Sequence, residues 1–154
     1  MLRIAKLTDY AAGLMTQLAR SPERQVSAQQ LAGELRLPIP TVATLLKKLS
    51  RAGLVSSMRG VDGGYRLARA PKTISVAEII AAIEGPVALT ECALRADVCS
   101  LEADCATRDN WRLISHAVQV VLEAVSLTDM ATNMDKTARA GVQIQRWPNQ
   151  TASR

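Results

Sequence analysis

The sequence predicts a mainly α-helical chain with one small β element, and three observations lead there. The 154 residues are 48% hydrophobic but only 3% aromatic, with no Phe, so the core has to be aliphatic, which suits packed helices. Apolar residues recur at helical spacing in several separate stretches. Only around residues 54–68 does a strand, a glycine-rich turn and a second strand replace that period. The length suits one compact domain with appendages.

In the first stretch, Ala11, Leu14, Met15, Leu18 and Ala19 form one helical face, with Thr8 as the expected N-cap and Ser21-Pro22 as the stop. Ser27, with Gln30 three residues on, makes a capping box for a short helix whose inward stripe is Leu31, Ala32 and Leu35. After a tight connection over Arg36 to Ile39, Pro40 fits the first turn of a third helix. Val42, Leu45, Leu46 and Leu49 share its inner face, and Gly53 stops it. The other face carries Pro40, Thr44 and Lys47, flanked by Thr41, Ala43 and Lys48. Two short helices joined by a turn, the second with a polar and basic outer face, match the helix-turn-helix pattern. Leu54 to Met58 and Tyr65 to Ala68 then read as strands around Arg59-Gly60-Val61-Asp62-Gly63-Gly64. That places a wing directly after the recognition helix, with Arg59 and Arg66 able to reach phosphates or the minor groove. The fold class expected is a winged helix-turn-helix domain plus a long dimerisation helix.

Past Pro71, Ser75 caps a helix in which Val76, Ile79, Ile80 and Ile83 are expected to bury, ending at Gly85-Pro86. From Trp111 to Leu127 a long helix is apolar almost all round, through Leu113, Ile114, Val118, Val120, Val121, Leu122 and Val125. Such a helix on a monomer would leave a large apolar patch in water, so a homodimer packed through it is expected. Residues 135–154 are poor in apolar residues and read as a disordered basic tail.

Charge separates along the chain. Residues 1–72 hold 12 Lys/Arg against 4 Asp/Glu, residues 73–134 hold 3 against 9, and residues 135–154 hold 4 against 1. A basic first half joined to an acidic second half suits a DNA-binding module attached to a sensing or assembly module. No stretch approaches the ~20 apolar residues of a membrane span and the N-terminus lacks a signal-peptide core, so a cytoplasmic protein without membrane partners is expected. No phosphate loop or base–nucleophile pair is present. An enzyme with a small-molecule substrate is therefore not expected.

Three cysteines lie in one loop between two helices, as C-x6-C-x5-C: Cys92, Cys99 and Cys105. Thiols this close can converge on one soft metal centre, and the spacing alone fits an iron–sulfur cluster or zinc. A clusterless thiol redox sensor on the same fold is the further alternative.

Leu7-Thr8-Asp9-Tyr10-Ala11, Leu54-Val55-Ser56-Ser57-Met58-Arg59-Gly60, Gly63-Gly64-Tyr65-Arg66-Leu67, Ser75-Val76-Ala77-Glu78-Ile79-Ile80 and the three-cysteine segment followed by Trp111 resemble, in order, the IscR/NsrR/RirA family of regulators. The resemblance covers about residues 1–134. The opening Leu2 to Tyr10 and the lead from Glu84 to Thr90 are most similar to the branch that regulates the Suf iron–sulfur assembly operon. The resemblance implies a dimeric winged-helix repressor in which Cys92, Cys99 and Cys105 ligate an iron–sulfur cluster lying between the dimerisation helix of one subunit and the DNA-binding domain of the other. A 2Fe-2S cluster is slightly favoured over 4Fe-4S. Where the IscR branch places a ligand histidine three positions after the third cysteine, this chain has Arg108, an always-charged group unsuited to the role. The fourth ligand expected is Asp9, matching a position where the NsrR branch supplies a carboxylate from the partner subunit; His116, the only histidine, ranks below it. Ala43 stands where the IscR branch carries an acidic residue, so base reading falls to Thr41, Thr44 and Lys47, with Arg59 in the wing.

The organisation expected is therefore a DNA-binding domain over 1–72, a linking helix over 73–88, a cysteine segment over 89–108, a dimerisation helix over 109–134 and a tail over 135–154.

Overall fold

A computed structural model describes residues 3–58, 60, 63–94 and 105–132; the readings on Arg59, Cys99 and the tail lie outside these residues. Helix α1 spans Lys6–Ala19 and turns Ala11, Leu14, Met15 and Leu18 inward, as the spacing predicts. Its N-cap is Ala5, not Thr8, which sits inside the first turn and is 1% exposed. The Thr8 hydroxyl donates to Glu84 Oε1, and the Ala5 backbone N–H donates to the same oxygen at 3.2 Å. The cap thus comes from a carboxylate far along the chain, which no local pattern reveals.

Helix α2, Ala28–Leu35, starts on the expected capping box: Gln30 N–H donates to Ser27 Oγ at 3.1 Å and Ser27 N–H donates to Gln30 Oε1 at 2.9 Å. It ends with Arg36 in the left-handed region, at φ 53°. Helix α3, Ile39–Arg51, begins one residue earlier than the sequence suggests, with Pro38 as N-cap and Pro40 in the first turn. Val42, Leu45, Leu46 and Leu49 are all buried. At its end the Leu54 N–H donates to Leu49 C=O at 3.0 Å and the Gly53 N–H to Ser50 C=O at 3.1 Å. That closure requires positive φ at Gly53, which adopts 71°.

The wing is an antiparallel pair, β1 (Val55–Met58) and β2 (Gly64–Leu67), in the register Val55↔Leu67, Ser56↔Arg66, Ser57↔Tyr65 and Met58↔Gly64. Val55 and Leu67 bury one edge in the core. A contact the sequence did not suggest fastens its outer strand: Val26 and Tyr65 exchange backbone hydrogen bonds at 3.0 and 2.9 Å.

After a 3-10 turn at Pro71–Thr73 comes α4, Val76–Glu84, capped by a Ser75–Glu78 box. Ala77, Ile79 and Ile83 are buried, whereas Val76 and Ile80, expected inside, are half-buried along an open groove. Short helix α5 covers Glu91–Leu94, so the first cysteine lies on a helical turn rather than in a loop.

The expected single helix to Leu127 is two helices. α6 runs over Arg108–Ala124, Val125 leaves helical geometry at φ −93°, ψ 114°, and α7 covers Leu127–Ala131 behind a Ser126–Asp129 capping box. The apolar period hid a polar start signal, because Leu127 continues the first pattern while Ser126 begins a new one. Leu127 is wholly buried among α1, the 3-10 turn and the rest of the winged-domain core. The chain is stitched back at this point: Val76 N–H donates to Val125 C=O at 2.9 Å and Leu127 N–H to Ile74 C=O at 2.7 Å. One aliphatic core therefore joins α1, α2, α3, the wing, α4 and α7. Along α6 only Ser115 is buried, and Trp111, Leu113, Ile114, Val120 and Val121 are exposed. Among the described residues no helix is long and apolar enough to cross a membrane.

Candidate nucleic-acid interface and cysteine segment

The outer side of α3 is assembled by what its inner side buries. With Val42, Leu45, Leu46 and Leu49 fixed in the core, helical geometry leaves Ile39, Pro40, Ala43, Thr44, Lys47 and Arg51 exposed, while Thr41 is half-buried. The Thr44 hydroxyl donates to the Pro40 carbonyl at 2.9 Å. No acidic residue occupies the first turn of α3, and Lys48 and Arg51 lie in its last turn. Arg66 is exposed on β2. Lys48, grouped by sequence with the DNA-facing residues, is turned the other way: its Nζ donates to the Ile83 carbonyl at 2.8 Å. It thereby caps the C-terminal end of α4, where cations are favoured by the exposed carbonyls.

The glycines set the shape of the wing. A Cβ on Gly63 would lie 2.6 Å from the Met58 carbonyl oxygen and 2.8 Å from that of Gly60. On Gly64 it would meet the backbone of Val26 at 3.0 Å. At Gly63 the turn is thus closed by a backbone approach that only glycine allows.

Cys92 and Cys105 are free and half-buried, one at each border of the segment that contains Cys99. Thr90 Oγ1 lies 3.3 Å from Cys92 Sγ, and Arg112 Nε, on α6, donates to the Cys92 carbonyl at 3.2 Å. This last bond ties α5 to α6. Thr107 Oγ1 is 3.5 Å from Cys105 Sγ. Hydrogen bonding from the Thr107 hydroxyl and then its backbone N–H, with the Arg108 backbone and charge adding less, holds the Cys105 thiol below its ordinary pKa. The segment is also pinned by Leu89 N–H donating to the buried Ser115 Oγ at 3.0 Å.

Among the described residues, no three His, Cys, Asp or Glu side chains converge on a metal position. Asp9 is exposed in the first turn of α1 and lines an open groove of about 630 Å³ with Arg3, Lys6, Val76, Ile80 and Met130. His116 is exposed on α6, and Arg108 Nε lies 3.8 Å from Asp109 Oδ1.

A helix pair with an exposed basic second helix, followed by a glycine-closed hairpin, is the geometry of a winged DNA reader. The family model for Rrf2, described as an iron-dependent transcriptional regulator, matches residues 4–133. The chain belongs to the Rrf2 family. BadM of Rhodopseudomonas palustris is 32% identical over 153 residues, covering 99% of this chain and 94% of that protein. The HTH-type transcriptional regulator NsrR of Shouchella clausii is 28% identical over 136 residues, 87% of this chain and 91% of its own. Among solved structures, CymR, titled the global cysteine regulator of B. subtilis, superposes with a TM-score of 0.68 at 32% identity, covering 86% of this chain and 98% of that one. IscR of T. potens gives 0.67 at 30% identity, covering 92% and 94%. This Rrf2 chain is accordingly a helix-turn-helix transcriptional regulator, and its relatives are regulators rather than enzymes. The mainly helical winged fold expected from the sequence is the fold these neighbours share.

Proposed function

We propose that this Rrf2 regulator is a homodimeric repressor that reads operator DNA through α3 and the wing and senses iron–sulfur or redox status through Cys92, Cys99 and Cys105, controlling iron–sulfur assembly genes in the manner of a Suf-operon regulator. The observation that carries the reading is the placement of Cys92 and Cys105. Both are free thiols bordering one segment, and the residues that lead into it, Leu89 and Cys92, are each hydrogen-bonded to α6, through Ser115 and Arg112. Thiolates are the ligands an iron–sulfur cluster needs, and the lowered Cys105 thiol favours that form, so the donor set fits the group. When bound, a cluster supplies a labile, redox-responsive cross-link between thiolates.

The chain's own residues supply the rest. The apolar side chains that α6 leaves exposed support dimerisation through residues 109–124, and the exposed position of Asp9 on an open groove whose lining includes neither described cysteine supports a ligand given to the partner's segment. Thr41, Thr44, Lys47, Arg59 and Arg66 are assigned to DNA. In the domain scheme, 1–72 forms the reader, 73–88 the link and 89–108 the sensing segment. Leu127 of α7, however, packs into the reader's core.

The test is an ultraviolet–visible spectrum with iron and sulfide analysis of anaerobically purified protein, repeated for Cys99→Ala. Iron and sulfide in the wild type, with visible absorbance lost in the variant, support the cluster. Absence of both after anaerobic reconstitution refutes it, and stoichiometric zinc in a colourless protein establishes the zinc alternative. Equal operator binding by loaded and cluster-free protein in a gel shift removes the switch while leaving the reader intact.

A further inference from the structure

What the fully exposed side chains at the front of α3 lack is a hydrogen-bond donor to offer; the other hydroxyl of these turns, on Thr41, is half-buried. Its first two turns present Ile39, Pro40, Ala43 and Thr44 to solvent, with Ile39 51% exposed. Pro40 has no N–H, Ala43 has no polar side-chain atom, and the Thr44 hydroxyl proton is already given to the Pro40 carbonyl. The first exposed donor on this side is Lys47, one turn further on. In the major groove, guanine is read through two acceptors and needs donors. Adenine is read by a group that both donates and accepts, and cytosine asks for an acceptor. Thymine alone offers an apolar feature, its 5-methyl group.

We propose that Ile39 is a specificity-determining residue that packs on thymine 5-methyl groups in the major groove, with Ala43 beside it. Ile39 and Ala43 are one helical turn apart, so they share a side of α3. The first residues of the second helix in a helix-turn-helix are those that meet base edges. Ile39 is also held stiffly: Pro38 and Pro40 flank it, Pro38 at φ −60° and ψ 136°, and β-branching limits its χ1. Little side-chain freedom is then lost on contact. Exposed Lys47 and Arg51 continue this side of the helix, so the apolar patch sits within a surface that attracts a polyanion rather than an apolar protein face.

The proposal rests on the family's helix-turn-helix function and is independent of the cluster. Duplexes enriched by the full-length protein from a randomised library supply the site. The same duplex is then synthesised with uracil replacing thymine, one position per half-site, which deletes only the methyl. Loss of one such contact is expected to weaken binding about three- to five-fold per half-site. Ile39→Ala should bind the thymine duplex more weakly by a similar factor and show no further loss with uracil. Lys47→Ala should weaken both duplexes equally and lessen the salt dependence. Because Ile39 is exposed, its alanine variant should melt with the wild type, which serves as the folding control. Equal wild-type affinity for thymine and uracil duplexes overturns the proposal, as does an unchanged uracil penalty in Ile39→Ala. Enrichment of no sequence at all would overturn the reading of α3 as a base reader, an outcome distinct from an enriched site indifferent to methyl groups.

Discussion

Replacing Leu127 by alanine separates a core residue from an interface residue on neighbouring helices. Leu127 is 0% exposed and belongs to the cluster formed by α1, α3, α4 and the wing, although it follows α6 by only three residues. Removing its isobutyl group loses transfer free energy and leaves a cavity, together about 3 kcal/mol. Against a total stability of about 5–15 kcal/mol, that is a large share. With a urea m-value of about 2 kcal/mol/M, the midpoint should fall by roughly 1.5 M with m unchanged. The melting temperature should fall by about 10 °C. The control is Val121→Ala on α6, where the side chain is 56% exposed. At concentrations dilute enough for monomers it should cost less than about 0.5 kcal/mol. At higher concentrations it should instead weaken self-association in analytical ultracentrifugation. Urea titrations followed by circular dichroism over a hundredfold range of protein concentration read both effects. A Leu127→Ala loss below about 1 kcal/mol, or equal losses for the two variants in dilute solution, would refute the assignment of α7 to the core and α6 to the outside.

Acid should loosen the caps of α4 and α7. For Glu78, burial raises the pKa, but the Ser75 backbone N–H and then the Arg69 guanidinium, 2.6 Å away, outweigh it and hold the carboxyl below its ordinary value; for Asp129, the Ser126 hydroxyl and backbone N–H do the same. Depressed carboxylates contribute stability that is complete above the ordinary carboxylate value of about 4 and lost as pH falls through their lowered values. Thermal melts of Glu78→Gln and Asp129→Asn should therefore fall below wild type at pH 7 and converge with it toward pH 2; parallel curves would contradict this. Lys48→Met removes the donor to the Ile83 carbonyl and should lower stability by about 1 kcal/mol without changing the salt slope of DNA binding, whereas Lys47→Ala should flatten that slope by about one phosphate contact in fluorescence anisotropy. Gly63→Ala forces a methyl against the Met58 and Gly60 carbonyls and should weaken operator binding by roughly tenfold, about 1.4 kcal/mol, while shifting the melting temperature by only a few degrees; unchanged affinity would show that the wing tip does not touch DNA.

The inward residues of α1, α2 and α3, the Ser27 capping box, the Ser75 cap and both strands were legible in the sequence because each rests on local periodicity or local capping. What escaped it was non-local. The Glu84 carboxylate that caps α1, the Lys48 ammonium that caps α4 and the Val26 segment beside Tyr65 all depend on chain crossings that no window contains. The break at Val125 had a local signal, Ser126 with Asp129, and was masked by an apolar pattern that continued across it. For the site, sequence singled out the right residue types but not their directions. Thr44 looked like a donor to bases, and its proton is given to Pro40. Cys92 was read as part of a loop and lies on α5.

The return of the chain through α7 also orders events during synthesis. A ribosome delivers residues from the N-terminus onward, and a domain settles once its core is complete. Here the core of the reading domain lacks a wholly buried leucine until residue 127 has emerged, well after the three cysteines. The reading head is therefore finished only on chains that already carry the cysteine segment. A product cut short within α6 would be an unfinished domain exposed to proteolysis rather than a working DNA reader.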